Sequence, residues 1–575
     1  MTEYRGQITE DRIQRTDNRG QNTEDRIQRT DNRGQKTNYG CRKSDCDVLL
    51  YALCFFTRNP QPVTHKVFLV ELHSSDIPAH LVEGPLILSI DIGTSAVKIL
   101  FFDTMGRAVE GNQCRREITI RTSRDGASEV APDELLNIVW RGIDAVLAKG
   151  GRLVPKIAGV AVCTFVGNIM GVDRKARPLT PVFTYADTRA EKEATRLRTE
   201  FEESEVHDRT GCHLHSSYLP ARFRWLANSR PDVFHQVDRW LSIGEYMELV
   251  LFGQTSVSYS VASWSGLLDR QQLIWDEPLL NKLSVEIARL SPLVDINSPK
   301  QGLGRKFASR WPALKNLPWL PAIGDGAAAN IGSGCISPSR VALTMGTTTA
   351  IRAVVEKPIS HVPNGLWCYR IDGRRSLPGG AMSEGGSLFA WMKNTFQLAD
   401  PPQFEAALNS LVPDGHGLTV LPFLAGERSP GWQGHARATI HGISQATTPL
   451  EIVQAGMEAV ACRIALVFEK LAKLLPDNLR IVAGGGAIHN SPAWLQIITD
   501  ILGRESELTG IREGSARGAA LLAFEALGVI KDMKDIPVFI ERTCYPDEER
   551  HAIYRQTIKR QQRLYEKLIK DDRYD

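Results

Sequence analysis

The sequence predicts an α/β fold in two related domains with a ligand held between them. Three observations carry that expectation. Apolar strands and amphipathic helices interleave from residue 86 onward. A strand, a turn of Gly and Thr, and a second strand occur twice, as Leu86-Ile-Leu-Ser-Ile-Asp-Ile-Gly-Thr-Ser-Ala-Val-Lys-Ile-Leu-Phe-Phe-Asp103 and Val341-Ala-Leu-Thr-Met-Gly-Thr-Thr-Thr-Ala-Ile-Arg-Ala-Val-Val355. A Pro-rich span from Trp311 to Pro321 precedes the second copy and marks a boundary near 330–340. At 575 residues the chain is long enough for more than one domain, and 42% hydrophobic content supplies sizeable cores.

Residues 1–85 read differently from the rest. Ile8-Thr-Glu-Asp-Arg-Ile-Gln-Arg-Thr-Asp-Asn-Arg-Gly-Gln21 is repeated almost letter for letter as Asn22–Gln35, with too few apolar residues to offset the entropy of ordering, so a disordered extension is expected. The next methionine, Met105, lies beyond Asp91, so a shorter start would need another codon. Val48–Phe56 is far shorter than the roughly 20 apolar residues of a spanning helix, and it follows a polar tract unlike a signal peptide. Ten scattered cysteines without a C-x-x-C pair predict reduced thiols rather than a disulfide framework or zinc site. A net charge of +3, with acids and bases interspersed, gives no pull toward nucleic acid. A soluble cytoplasmic protein, free of nucleic acid and membrane, is expected.

From residue 86 the expected elements run in order: strands over 86–102, a helix over 132–147, strands at 157–162 and 168–173, and a mostly helical stretch over 188–250. Trp225, Trp240 and Tyr246 in that stretch suit a packed core face. After the second hairpin come a helix at 384–393, a strand at 417–423, a long helix at 449–475, a strand at 480–483, helices at 491–503 and 515–528, and a charged helical tail over 546–575. The domains are thus expected at 86–338 and 339–545.

The repeated turn suits phosphate. Gly93 and Gly346 are free of a Cβ and can take backbone angles closed to other residues, while successive N–H groups make an anion-binding concavity. Hydroxyls of Thr94, Ser95, Thr347 and Thr348 add donors. Either copy by itself also reads as an ordinary hairpin; the pair in this order is harder to obtain by chance. Only the first copy carries an acid, Asp91, where a carboxylate can hold Mg²⁺ directly or through water.

Further segments carry polar groups. Asp325 lies between two glycines in Ala322-Ile-Gly-Asp-Gly-Ala-Ala-Ala-Asn330, after an apolar strand, where an acid can accept a hydroxyl proton. The same letters satisfy G-x-G-x-x-A, but no acid follows about 20 residues on, as a dinucleotide site requires. Ile481-Val-Ala-Gly-Gly-Gly-Ala-Ile-His-Asn490 runs a strand into three glycines and a helix, which lets a flat ring lie on the backbone. Gly379–Ser387 and Leu424–Trp432 are Gly-rich loops able to line a cleft or simply to turn. His213 and His215 alternate in Thr210-Gly-Cys-His-Leu-His215 and read as ordinary strand or loop residues rather than a metal site.

This order of segments resembles the FGGY family of carbohydrate kinases over residues 86–527. The resemblance implies two RNase H-like domains of the actin-like ATPase fold, with ATP and sugar in the cleft, and Mg²⁺ as cofactor. Asp91-Ile-Gly-Thr-Ser-Ala-Val-Lys98 and Met345-Gly-Thr-Thr348 are similar to its two phosphate motifs, and Gly484-Gly-Gly-Ala-Ile-His-Asn490 to its adenosine motif, where Gly485 stands beside Gly486 and Asn490, the positions contacting the nucleoside. Gly386 matches another nucleotide-contacting glycine, and Asp325 the catalytic base. Gly456 stands where a larger residue is usual, and Cys163–Gly171 departs from the bulkier, His-containing forms of the sugar-facing turn. Phe183-Thr-Tyr-Ala-Asp-Thr-Arg189 and Gly426-Glu-Arg-Ser-Pro-Gly-Trp432 look most like the gluconate kinase-like branch, which implies Asp187 near the sugar and Arg189 holding an acidic one. The implied activity is phosphoryl transfer from ATP to a sugar or sugar acid, with xylulose, ribulose or another polyol as the alternative acceptor, and a non-catalytic ATP-binding sensor as the rival. A homodimer is left open.

Overall fold

The computed structural model describes residues 75–396, 398 and 401–570. All of them fall within one unit of the chain, Phe68–Asp575. The 14-residue repeat and Val48–Phe56 lie outside the described residues. No described helix is long and apolar enough to cross a membrane.

The first sheet is built on the apolar run Leu86–Ile92 (β2), buried along its whole length. It takes the order β1–β4–β3–β2–β5–β6, where β1 is Asp76–Ile77, β3 Ala96–Phe102, β4 Ala108–Glu117, β5 Ile157–Thr164 and β6 Ile323–Gly324. Pairs β2/β3 and β3/β4 are antiparallel, β2/β5 and β5/β6 parallel. Helix α1 (Pro132–Gly150), with Pro at its start, two acids in its first turn and Gly151 at φ 45° past its end, covers this sheet through Leu135, Val139, Ile143 and Val146.

The second sheet repeats the plan. Its order is β9–β10–β8–β7–β11–β12–β13, with β7 at Arg340–Met345, β8 Thr349–Ala353, β9 Trp367–Arg370, β10 Ser376–Met382, β11 Arg480–Gly484, β12 Ser506–Thr509 and β13 Ile540–Cys544. Here β7/β8 and β8/β10 are antiparallel, β7/β11 and β11/β12 parallel. The two Gly-Thr hairpins therefore occupy the same place in two sheets of one design. A capping box of Thr448 and Glu451 opens the long helix Pro449–Ala472, which buries Val453, Met457, Val460, Ile464 and Val467 beneath the second sheet. An added Cβ at Gly456 would meet Met392 Sδ at 2.7 Å, so this glycine makes room for that side chain.

One expectation needs correction, and two features go beyond the others. Residues 76–77 join the edge of the first sheet beside β4, so the folded part starts ahead of residue 86. A cut at 338 does not divide the cores: helix Gly514–Ala526 packs on β2, β3 and β5, and its Ala516, Ala520 and Phe524 share a cluster with Ile87, Phe102 and Ala161. It crosses helix Asp325–Gly332 so closely that a Cβ at Gly332 would lie 1.8 Å from Gly514 O, and one at Gly518 1.8 Å from Ala328 O. The buried Arg517 guanidinium donates to Gly106 O (2.8 Å), Gly332 O (2.5 Å) and Pro537 O (2.9 Å), tying the two halves together. Finally, the charged helix expected over 546–575 is present as Glu548–Leu568. It buries Tyr554, Thr557, Gln561 and Tyr565 against the second half, with Tyr565 Oη donating to Glu427 (2.5 Å) and Tyr554 Oη to Glu458 (2.9 Å). Its last residues, 571–575, fall outside the description. Trp240 and Tyr246 are buried as expected, while Trp225 packs edge-on against Phe183.

Candidate active site

Two carboxyls approach each other at the ends of parallel strands. Asp91, on β2, faces Lys98 across the hairpin and Cys163 on β5. One strand further, β6 runs into the helix that starts at Asp325. Cys163 Sγ donates to Asp91 Oδ1 (3.4 Å), and Gly326 N–H to Asp325 Oδ1 (2.7 Å). Burial, and then the neighbouring Asp91 charge, push Asp325 from the ordinary 3.8 up to about 7. Burial pushes Asp91 up to about 6, opposed by Lys98. Arg352 stands beside Asp325 and lowers it; its Nη1 donates to Gly326 O (2.8 Å) and its Nη2 to Thr344 Oγ1 (3.0 Å).

The turns differ from expectation in one respect. Neither Gly93 nor Gly346 has a positive φ, and the N–H of each closes its own hairpin, to Ala96 O (3.1 Å) and Thr348 O (3.0 Å). What the turns leave open are the N–H groups of Thr94, Ser95, Thr347 and Thr348, which have no backbone partner among the described residues. The missing Cβ matters at Gly346, where an added methyl would meet no atom within 4 Å. Phosphate oxygens can therefore reach this backbone. Gly386 N–H bonds to Gly346 O (2.8 Å) and Ser387 N–H to Thr347 O (3.1 Å), so the second turn is anchored to the start of helix Gly386–Phe396.

Thr347 and Thr348 separate two cavities. One, of about 620 Å³, is lined by Gly346, Thr347, Gly386, Gly486, Asn490 and the rings of Phe389 and Trp494. Gly485, at φ 101°, presses against Met345, where a Cβ would come within 2.4 Å of its carbonyl; Gly486 beside it is open. The other, of about 320 Å³, holds Asp325, Gly346, Thr348 and Arg352 among Tyr185, Tyr218, Trp264, Tyr369, Arg428 and Trp432. A third, of about 650 Å³, shares Tyr185, Thr348 and Arg428 with it and adds His215. Gly93, Thr94 and Ser95 line none of the three, although the Thr94 side chain bonds to Tyr185.

Asp187 and Arg189 are engaged with each other. The Arg189 guanidinium pairs with Asp187 (2.5 Å) and Glu129 (3.1 Å), its Cζ lies 4.6 Å from the Trp225 ring, and Asp187 also accepts from Ser128 N–H (3.2 Å). Neither residue lines the three cavities. Burial in a turn between packed strands makes each the partner of the other. His213 stacks on His207 (4.1 Å) and packs on Trp432 (4.8 Å), and His215 lies edge-on to Trp432. Among the described residues one cluster has metal-ligand spacing, Asp414, His416 and Glu458, and it is closed by Arg560, Tyr554 and Leu418 N–H.

Several lining residues escaped the sequence reading. Arg352 was legible: Thr344, Gly346, Thr348, Ala350 and Arg352 all line the Asp325 cavity, the period-two face of the hairpin continued into β8. Trp264, Trp367 and Tyr369, stacked at 3.7 Å (Trp264 on Tyr369) and 4.3 Å (Trp367 on Tyr369), come from both halves and carried no such signal. The residues fit a metal–nucleotide pair. Asp91 and Asp325 are both buried carboxyls with raised proton affinity, Asp325 in part through the Asp91 charge, and the backbone at Gly346 is open where a Cβ would stand.

Residues 86–332 match the N-terminal domain, and 341–527 the C-terminal domain, of the FGGY family of carbohydrate kinases. The chain is 26% identical over 467 residues to a gluconokinase of Bacillus subtilis, covering 79% of this chain and 90% of the relative. It is 25% identical over 494 residues to a xylulose kinase of Escherichia coli, covering 84% and 99%. The crystal structure of a gluconate kinase from Lactobacillus acidophilus superposes with a TM-score of 0.78 at 23% identity, covering 85% of this chain and 99% of that one.

Proposed function

We propose that this chain, which belongs to the FGGY family of carbohydrate kinases and so transfers a phosphoryl group to a sugar hydroxyl, uses ATP as donor and a sugar acid, gluconate before others, as acceptor. The observation that carries the reading is the partition at Gly346–Thr348. It puts an aromatic- and glycine-lined cavity suited to a nucleoside on one side and the Asp325 carboxyl on the other. A γ-phosphate at the partition is within reach of both.

In this reading the N–H and hydroxyl groups of Thr347 and Thr348, with Thr94 and Ser95 of the first turn, orient the phosphates, while Gly386, Gly485, Gly486 and Asn490 shape the nucleoside site. Asp91 would hold Mg²⁺, which would supply neutralisation of the phosphate charge. Asp325 takes the proton of the attacking hydroxyl as its oxygen bonds to phosphorus and ADP leaves. An acid raised to about 7 is suited to that task near neutral pH. The aromatic walls of Trp264, Tyr369 and Trp432 exclude water, the competing acceptor.

A coupled ADP-release assay across gluconate, xylulose, ribulose, glycerol and erythritol tests the reading. The highest kcat/KM is expected with gluconate. A higher value with a neutral sugar overturns the sugar-acid assignment, and ATP binding without sugar-dependent ADP release overturns catalysis.

A further inference from the structure

We propose that Arg428 binds the carboxylate of the acceptor and so selects an aldonic acid over a neutral sugar; the inference rests on the sugar-acid reading above. An acid substrate needs a cation in the cavity of Asp325, and Arg189 is taken by Asp187 and Glu129. Two arginines line that cavity, Arg352 and Arg428. Arg352 is buried, donates to Gly326 O and Thr344 Oγ1, and lies against Asp325 itself. Arg428 is half-buried, lines both the Asp325 cavity and the one that shares residues with it, and its side chain makes one hydrogen bond among the described residues, from Nη2 to Met382 O (2.8 Å). Among the described residues no carboxylate forms an ion pair with it.

Its neighbours are fixed on the other side of the loop. Glu427 is buried under Arg463, Tyr565 (2.5 Å) and Gly431 N–H (3.2 Å). Ser429 exchanges two hydrogen bonds with Ala381 (3.0 and 3.2 Å), and Trp432 Nε1 donates to Gly365 O (3.2 Å). The backbone of Arg428 is thus held before any ligand arrives, with its guanidinium fork on the cavity. Its charge acts on Tyr185, Tyr218 and Tyr369, all of which burial keeps neutral, whereas Asp325 answers to Asp91 and Arg352. The nearby Glu384 is pushed by burial up to about 7, opposed by the Arg428 charge. The one cavity therefore carries both groups that a linear hydroxy acid needs: Asp325 for a hydroxyl and Arg428 for a carboxylate.

The test compares wild type, Arg428→Gln and Arg428→Lys with gluconate and with D-glucitol, which carries CH₂OH in place of the carboxylate, and follows KM for ATP. In Arg428→Gln, KM for gluconate is expected to rise about 10- to 100-fold while KM for ATP stays within about twofold, with Lys recovering part of the loss because it keeps the charge but not the planar fork. An unchanged KM for gluconate, or an equal rise in KM for ATP, overturns the assignment of Arg428 and leaves the sugar-acid reading standing. A wild-type enzyme that releases ADP with neutral sugars and none with gluconate overturns the reading itself before any variant is measured. If Arg428→Gln does not fold, the same comparison on Arg428→Lys decides.

Discussion

Asp325 illustrates how one side chain joins chemistry and stability. Its replacement by Asn removes the proton acceptor and is expected to lower kcat about 10²- to 10⁴-fold with KM for ATP little changed, as read by coupled ADP release. Because the carboxyl must be ionised to accept a proton, activity should rise with pH through a limb at or below about 7, the value to which burial and Asp91 push it. The stability consequence has the opposite sense. The folded state holds the proton of Asp325 more tightly than the unfolded chain, so between about 4 and 7 the unfolded state is the one that releases it, and stability falls as pH rises through that window. Asp325→Asn is therefore expected to have a higher Tm than wild type at pH 8 in metal-free buffer, with the difference shrinking toward pH 4. At the same scale, the D-x-R wording at 187–189 identified two charged residues correctly but not their partners. Whether an arginine meets substrate or a neighbouring acid depends on what the fold places within reach.

At the scale of elements, the glycines of the two nucleotide loops serve different ends. Gly346 has an ordinary φ and open space where a Cβ would stand, so Gly346→Ala is expected to fold with stability within about 0.5 kcal/mol of wild type while raising KM for ATP, because the new methyl enters phosphate space. Gly485 has φ 101° and would place a Cβ 2.4 Å from Met345 O. Gly485→Ala should therefore destabilise by about 1–3 kcal/mol or more in thermal or denaturant unfolding, before any effect on nucleotide is considered. Elements with one dominant period were legible. β2 reads as an unbroken apolar run and helix Pro449–Ala472 announces its start with Thr448, Pro449 and Glu451. Arg352 belongs with them, since alternation from Thr344 onward points it at the same cavity. The aromatic wall of Trp264, Trp367 and Tyr369 was illegible, because its members lie on separate elements whose own patterns ask only for burial.

At the scale of the whole molecule, the halves are joined where two small-residue helices cross. Gly518→Leu would drive a side chain into Ala328 O, already 1.8 Å from a bare Cβ, and is expected to unfold or aggregate rather than shift a kinetic constant, as measured by soluble yield and Tm. The C-terminal helix is equally integral. Truncation ahead of Glu548 would strip Tyr565 from the buried Glu427–Arg463 pair and expose Phe423, and should lower Tm and disturb the loop that carries Arg428. A peripheral charged tail would have left both unchanged.

The sequence by itself determined the fold class, the duplication and the two Gly-Thr turns, since each rests on local properties: strand apolarity and glycine at a turn. It also determined the family, through the order of those motifs. The tertiary structure decided how the parts divide the work. Helix Gly514–Ala526 follows the second sheet in sequence but packs on the first, Arg189 is taken by Asp187, and Arg428 is left facing the cavity. Each of these depends on which distant groups share a buried space, and the energy of a buried charge is set by its neighbours rather than by its place in the chain.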